Sequence, residues 1–100
     1  MGKIVTLGEV VADIYRNESL VEVEMPFTAR PGGAPANVAV AAARLGEEAV
    51  FIGSVGEDLF GDFILRALDA EGVVTSGVRR CEPPTRTSLA FVEIDEDSDR

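Results

Sequence analysis

Histidine is absent from this 100-residue chain, tryptophan is absent too, and cysteine and lysine each occur once, as Cys81 and Lys3. Without histidine, Cys81 has no imidazole to act as its base, and the donor set for a zinc site is poor. A single cysteine forms no internal disulfide, so Cys81 reads as an inert loop thiol. Cations are scarce: 9 basic residues, all but Lys3 arginines, stand against 18 acidic ones, for a net charge of −9. Such a surface repels nucleic acid and anionic membranes, because phosphate binding requires clustered cations. No apolar run approaches the roughly 18 residues that cross a bilayer. The start, MGKIVTLGEVVADIYR, carries no small-residue cleavage site, and Asp13 interrupts its apolar run. It reads as a cytoplasmic start whose apolar run is a core strand. Asn17-Glu18-Ser19 matches a glycosylation acceptor, but without a secretory signal the match is read as chance.

What is present is an ordinary globular composition, 46% hydrophobic and 27% charged, far from that of a disordered chain. Residues 3–12, KIVTLGEVVA, form a short apolar run that predicts a strand buried on both faces, as in a parallel sheet. In 20–25, Leu20, Val21, Val23 and Met25 are interrupted by Glu22 and Glu24, which predicts a strand with one wet face. Arg30-Pro31-Gly32-Gly33-Ala34-Pro35 reads as a turn. Pro35 suits the first position of a helix, where its missing N–H costs nothing. Ala36–Leu45 is nearly all Ala, Val and Leu, the pattern of a helix buried on most sides, and Gly46 ends it. Residues 49–55 predict a second buried strand. Asp58 offers an N-cap to a helix whose Phe60, Phe63, Ile64, Ala67 and Leu68 share one face, with Gly72 at its end. Residues 87–94 predict a last strand.

Buried strands alternating with helices predict an α/β fold with a mostly parallel sheet, and the wet strands fall outside it into a small sheet of their own. The parallel sheet is short for such a fold, so the domain is expected to continue past Arg100. Asp95-x-Asp97-x-Asp99 mimics the start of a calcium loop, but Arg100 stands where glycine is required. It reads as a charged hairpin tip.

Two places carry candidate chemistry. Gly32-Gly33 lies immediately before a helix start, where a ligand can approach backbone without meeting a Cβ and where free N–H groups point outward. Asn37, in the first helical turn, both donates and accepts hydrogen bonds. The combination suits a neutral polyol, and equally a plain turn with Asn37 serving the helix end. It is neither a Walker loop, lacking Gly-Lys-Ser/Thr, nor a dinucleotide fingerprint. Asp13 follows the first strand, at the end of the sheet where α/β proteins bind ligands. A carboxylate there accepts two sugar hydroxyls, or simply faces water.

Three segments decide between these readings: Gly8-Glu9 leading to Asp13; Pro31-Gly32-Gly33-Ala34-Pro35-Ala36-Asn37-Val38-Ala39-Val40; and Phe51-Ile52-Gly53-Ser54-Val55-Gly56-Glu57-Asp58 with Phe60-Gly61. Together they resemble the ribokinase, or PfkB, family of carbohydrate kinases along the whole chain. The wording of the second segment, with Thr85-Arg86-Thr87-Ser88-Leu89-Ala90-Phe91-Val92, is most similar to the fructokinases. The resemblance implies a ribokinase-like three-layer fold with a small β lid, its strands roughly within 14–29 and 87–94. It implies that Asp13 and Asn37 bind sugar hydroxyls, that Gly32 and Gly33 present backbone to the sugar, and that Arg86 reaches the sugar or the incoming phosphate. It also implies transfer of the ATP γ-phosphate to a sugar hydroxyl with Mg2+, and a homodimer joined through the lid. The family's Gly-Ala-Gly-Asp run, which supplies the catalytic base and anion hole, is not in this sequence. Residues 1–100 are therefore expected to be an N-terminal sugar-binding portion, inactive alone, with ATP and Mg2+ held mainly by a C-terminal half. A 2-keto-3-deoxygluconate kinase is the alternative within the family, nucleoside kinases match the Ala-Pro-Ala-Asn wording less well, and a non-catalytic sugar- or partner-binding module is the alternative outside it.

Overall fold

The computed structural model describes residues 2–16 and 23–92. In chain order these form β1 (Lys3–Leu7), β2 (Val11–Arg16), β3 (Phe27–Gly32), α1 (Ala34–Arg44), β4 (Glu48–Gly56), α2 (Leu59–Ala70), β5 (Val78–Cys81) and β6 (Leu89–Val92). They make a parallel sheet with flanking helices and a second, smaller sheet, as the sequence predicts.

The parallel sheet has the order β1-β4-β5. Lys3 through Leu7 pair with Glu48 through Ile52, and Gly53 through Gly56 pair with Val78 through Cys81. The largest fully buried side chains are Phe51 of β4 and Ile64 and Leu68 of α2, each removing apolar surface worth roughly 1.5–3 kcal/mol. Ala36 and Ala39 of α1 are buried with them. The small sheet has the order β3-β2-β6, with β2 antiparallel to β3 and parallel to β6. The buried side chains of Ala12 and Ile14 belong to the same core cluster as Phe51 and Leu68, so the two sheets are packed as one body.

Several sequence expectations change. The run 3–12 is not one strand but parts of two, in different sheets. The chain leaves β1 at Gly8, whose φ of 145° is open to glycine and costly for other residues. Gly8 still donates its N–H to the Ile52 carbonyl at 3.0 Å before the chain departs. β1 is not buried on both faces: Val5 is 53% and Leu7 73% exposed, because α1 covers only one side. α1 is likewise half covered, with Val38 52% exposed. The wet strand expected over 20–25 is not found in its described part, where Val23–Met25 contribute one isolated bridge residue. The strand lies further on, as β3, and takes in Arg30, Pro31 and Gly32 from the expected turn. Pro31 is tolerated because β3 is an edge strand, where one side needs no ladder donor. The last strand is Leu89–Val92. Residues 93 and 94 and the Asp95-x-Asp97-x-Asp99 run lie outside the described residues. β5 has no counterpart in the sequence reading.

Candidate functional site

β1 ends opposite Ile52, four residues before β4 ends at Gly56, and beyond it three chain segments come together: Glu9 of the β1–β2 connection lies against Gly33 at the β3–α1 junction, and Ser88, entering β6, accepts the Ala12 N–H. Gly33 is the N-cap of α1 with φ 98°. A Cβ on it would stand 2.7 Å from the Glu9 carbonyl oxygen and 3.2 Å from the Val10 Cα. Only glycine lets these backbones meet, and the conformation itself is disfavoured for any residue with a side chain. Pro35 then continues α1 without missing its N–H.

Asp13 lies on β2 opposite Arg30 on β3 and Ala90 on β6. Its carboxylate leans across the ladder onto Gly32, where an added Cβ would lie 2.5 Å from Asp13 Cγ. The side chain is half-buried, and no hydrogen bond or ion pair to it is found among the described residues. It is therefore an acceptor held against glycine backbone with its lone pairs open. That suits neutral hydroxyl donors, each of which adds a charge-assisted hydrogen bond.

The predicted residues fall into three places. Asp13, Gly32 and Gly33 come together at the corner just described. Asn37 is exposed in the first turn of α1, its N–H donating to the Gly33 carbonyl at 3.0 Å. Asn37 lines a groove of about 290 Å3 between α1, α2 and β3, together with Arg30, Arg44, Val40 and Leu68. Asp13, Gly33 and Arg86 do not line that groove. Arg30, opposite Asp13 in the ladder, is the residue shared by corner and groove. At one end of the groove Arg44 donates to both oxygens of Glu71, at 2.8 and 2.6 Å. Those hydrogen bonds hold the Glu71 carboxyl below its usual value.

Arg86 is exposed at the entry to β6 and passes beside Gly56, where an added Cβ would meet the Arg86 Cα at 2.8 Å. The neighbouring Thr87 is buried and tied to Asp58 at the start of α2. Asp58 Oδ2 accepts from the Thr87 N–H at 2.9 Å, and Oδ1 accepts from the Thr87 hydroxyl at 2.7 Å and from the Gly61 N–H at 2.7 Å. The Thr87 hydroxyl in turn accepts from the Gly56 N–H at 2.9 Å. Burial works against the Asp58 charge, but the bonds from Thr87 N–H, Gly61 N–H and the Thr87 hydroxyl, with the Arg86 charge nearby, outweigh it. The carboxyl is held below its ordinary value. Sequence reasoning found Asp58 as a cap and missed this second role. It also missed Arg30, which reads as a turn residue until β3 is seen.

Among the described residues, no three His, Cys, Asp or Glu side chains gather where a metal ion is held, and no helix is long and apolar enough to cross a membrane.

The model of the pfkB family of carbohydrate kinases matches residues 1–100. A fructokinase of Solanum tuberosum is 42% identical over 101 aligned residues, covering 99% of this chain and 31% of the relative. The crystal structure of a fructokinase from Xylella fastidiosa superposes with a TM-score of 0.85 at 40% identity, covering 98% of this chain and 30% of that one. A structure of the Xylella fastidiosa fructokinase with bound ATP gives 0.84 at 41% identity, covering 92% and 29%. The chain thus spans about three-tenths of the length of such relatives.

Proposed function

The chain belongs to the pfkB family of carbohydrate kinases, and we propose that residues 1–100 are the sugar-binding portion of an ATP-dependent kinase that transfers the γ-phosphate to a hydroxyl of fructose. The observation that carries this reading is the Asp13 carboxylate, laid on Gly32 beside the preset Gly33, with no donor among the described residues taking its lone pairs. Fructose is preferred because the relatives at about 40% identity are fructokinases. In this proposal Asp13 accepts two sugar hydroxyls, Gly32 and Gly33 admit the ring against backbone, and Asn37 contributes a further hydrogen bond when the site closes. Arg86 reaches the sugar or the transferring phosphate from the lid. In sugar-kinase chemistry positioning and charge stabilisation supply most of the rate.

ATP and Mg2+ enter the proposal as ligands held mainly by sequence beyond these residues, since the chain covers 29% of the Xylella fastidiosa fructokinase with bound ATP. Catalysis by residues 1–100 alone is not expected. The lid sheet is proposed as a homodimer contact. Phe91, 70% exposed, meets Phe27 edge-on with ring centroids 6.1 Å apart, which leaves an aromatic pair at the surface for a second lid. A cytoplasmic location completes the reading. The test is a panel of hexoses, pentoses and 2-keto-3-deoxygluconate offered with ATP and Mg2+ to the gene product carrying this chain. Preferential phosphorylation of fructose supports the proposal. Preference for the keto-acid moves it to the other kinase, and phosphorylation of none sinks it.

A further inference from the structure

We propose that Asp58 is a positioning residue which, by holding Thr87, sets where Arg86 and the β6 strand of the lid stand over the sugar corner. The inference rests on the kinase reading for its functional consequence and on geometry for its structure. One carboxylate serves two elements at once: it caps α2 through the Gly61 N–H, and it binds both the N–H and the hydroxyl of Thr87, 29 residues further on. The hydroxyl is itself fixed by the Gly56 N–H at the end of β4. Three backbones therefore close on one point, and two glycines permit it. A Cβ on Gly56 would meet the Thr87 nitrogen at 2.7 Å and the Arg86 Cα at 2.8 Å, and a Cβ on Gly61 would collide with the Gly56 carbonyl and stand 3.0 Å from the Thr87 hydroxyl.

Just past this knot, Ser88 accepts the Ala12 N–H at 2.9 Å. Leu89 through Val92 then run along Ala12 through Tyr15. The chain from Thr87 onward is thus held at the knot and along Asp13's own strand. Arg86 is the residue before the knot, exposed, with no side-chain hydrogen bond or ion pair found among the described residues. The position of its backbone is set by its neighbour's ties and by the close approach of its Cα to Gly56. A helix cap alone needs only the Gly61 bond. The two bonds to Thr87 are surplus to that purpose and join α2 to the lid.

Asp58→Asn separates the two roles. The amide oxygen still accepts from Gly61 and from the Thr87 hydroxyl, while its nitrogen faces the Thr87 N–H, donor against donor. Amide hydrogen exchange and sugar kinetics are measured on the gene product carrying this chain. The expected result is exchange at Thr87 faster by about tenfold with Gly61 still protected. Sugar kcat/KM should fall by roughly tenfold, an effect shared by Thr87→Val and restored by Thr87→Ser. Adding Thr87→Val to Arg86→Met should cost little beyond Arg86→Met alone, because both remove one arrangement. Unchanged exchange at Thr87 overturns the proposal. Faster exchange with unchanged kinetics, or losses that simply add to that of Arg86→Met, overturns the positioning role and leaves the kinase reading standing. If the unmutated protein phosphorylates no sugar, the kinase reading fails, and exchange at Thr87 alone then decides for or against the knot.

Discussion

Alanine at Gly32 and alanine at Gly33 are the same chemical change one residue apart, and the geometry predicts opposite consequences. At Gly32 the backbone φ lies outside the region reserved for glycine, so the new methyl brings no conformational strain. It does land on Asp13, 2.5 Å from Cγ. The end of a half-buried carboxylate with no partner among the described residues swings aside cheaply, so the fold is expected to keep its melting temperature within about a degree or two, while Asp13 leaves its seat. Each charge-assisted hydrogen bond to a sugar hydroxyl contributes about 1.5–3 kcal/mol. Losing one lowers kcat/KM for the sugar roughly ten- to 150-fold, since about 1.4 kcal/mol is a factor of ten. At Gly33 the added Cβ meets the Glu9 carbonyl, which belongs to backbone and does not swing aside, and φ is 98°. A non-glycine residue in such a conformation costs on the order of 1–3 kcal/mol, which in a gene product well above 100 residues lowers Tm by about 2–4 °C per kcal/mol. Thermal unfolding and sugar kinetics on both variants of the gene product carrying this chain decide the matter. Gly32→Ala with kcat/KM within twofold of the parent refutes the placement of Asp13 at the sugar. Gly33→Ala with an unshifted Tm refutes the claim that this backbone requires glycine.

Asp13→Asn keeps the shape and removes the charge, so it is expected to cut sugar kcat/KM by about ten- to a hundredfold with little change in Tm; steady-state kinetics beside a melting curve checks both. Purified residues 1–100 should phosphorylate no fructose above a heat-inactivated control, which a coupled ATP assay tests. The same chain should self-associate at micromolar concentration, because Val5, Leu7, Val38 and Leu59 are more than half exposed and apolar patches drive association; a cooperatively unfolding monomer in sedimentation counts against this. Because the Asp58 carboxyl is held below its usual value, its stabilising contribution is present above about pH 4 and is lost as the pH falls through the lower folded-state value. Asp58→Asn should therefore flatten the acid side of the Tm–pH profile, and an unchanged profile contradicts the assignment.

The parts of the fold that were legible in the sequence are those whose signal is local. Ala36 through Leu45 and Phe60 through Leu68 carry helical periodicity, and Asp58 and Pro35 announce helix starts. The apolar stretch before Gly56 announces β4 in the same way. The small sheet was legible only in outline, because its strands are short and their partners distant. Pro31 disguised β3 as a turn, and the arginines at 79 and 80 disguised β5 as a loop. The run 3–12 hid a change of sheet, since Gly8 and Glu9 interrupt its hydrophobicity without declaring direction. Burial on both faces of β1 and around α1 was overstated for a different reason: apolar sequence reports what a surface is suited to pack against, and the described residues cover only one side. For the site, Asp13 and the two glycines could be named from the sequence. That Asp13 lies on Gly32, that Arg30 faces it, and that Thr87 is tied to Asp58 depend on cross-strand register and long-range contact, which no local pattern contains.

The parallel pairing of β6 with β2 joins the two ends of the described chain, and this has a consequence for the order of synthesis. The β2–β3 hairpin and the first helix emerge together, so Asp13 acquires Gly32 and Gly33 early. The third strand of the small sheet, together with Thr87 and Arg86, is translated only after β4, α2 and β5. Pairings between distant segments carry a loop-closure cost and form late, and domains generally assemble as units during translation. A ribosome-bound chain arrested after Ala70 would hold the acceptor carboxylate and its glycine seat on a two-stranded hairpin, with no third strand and no arginine above it. On the proposed function, the enclosure of a sugar is thus completed late, at the moment Leu89–Val92 slides in beside a strand made near the very start.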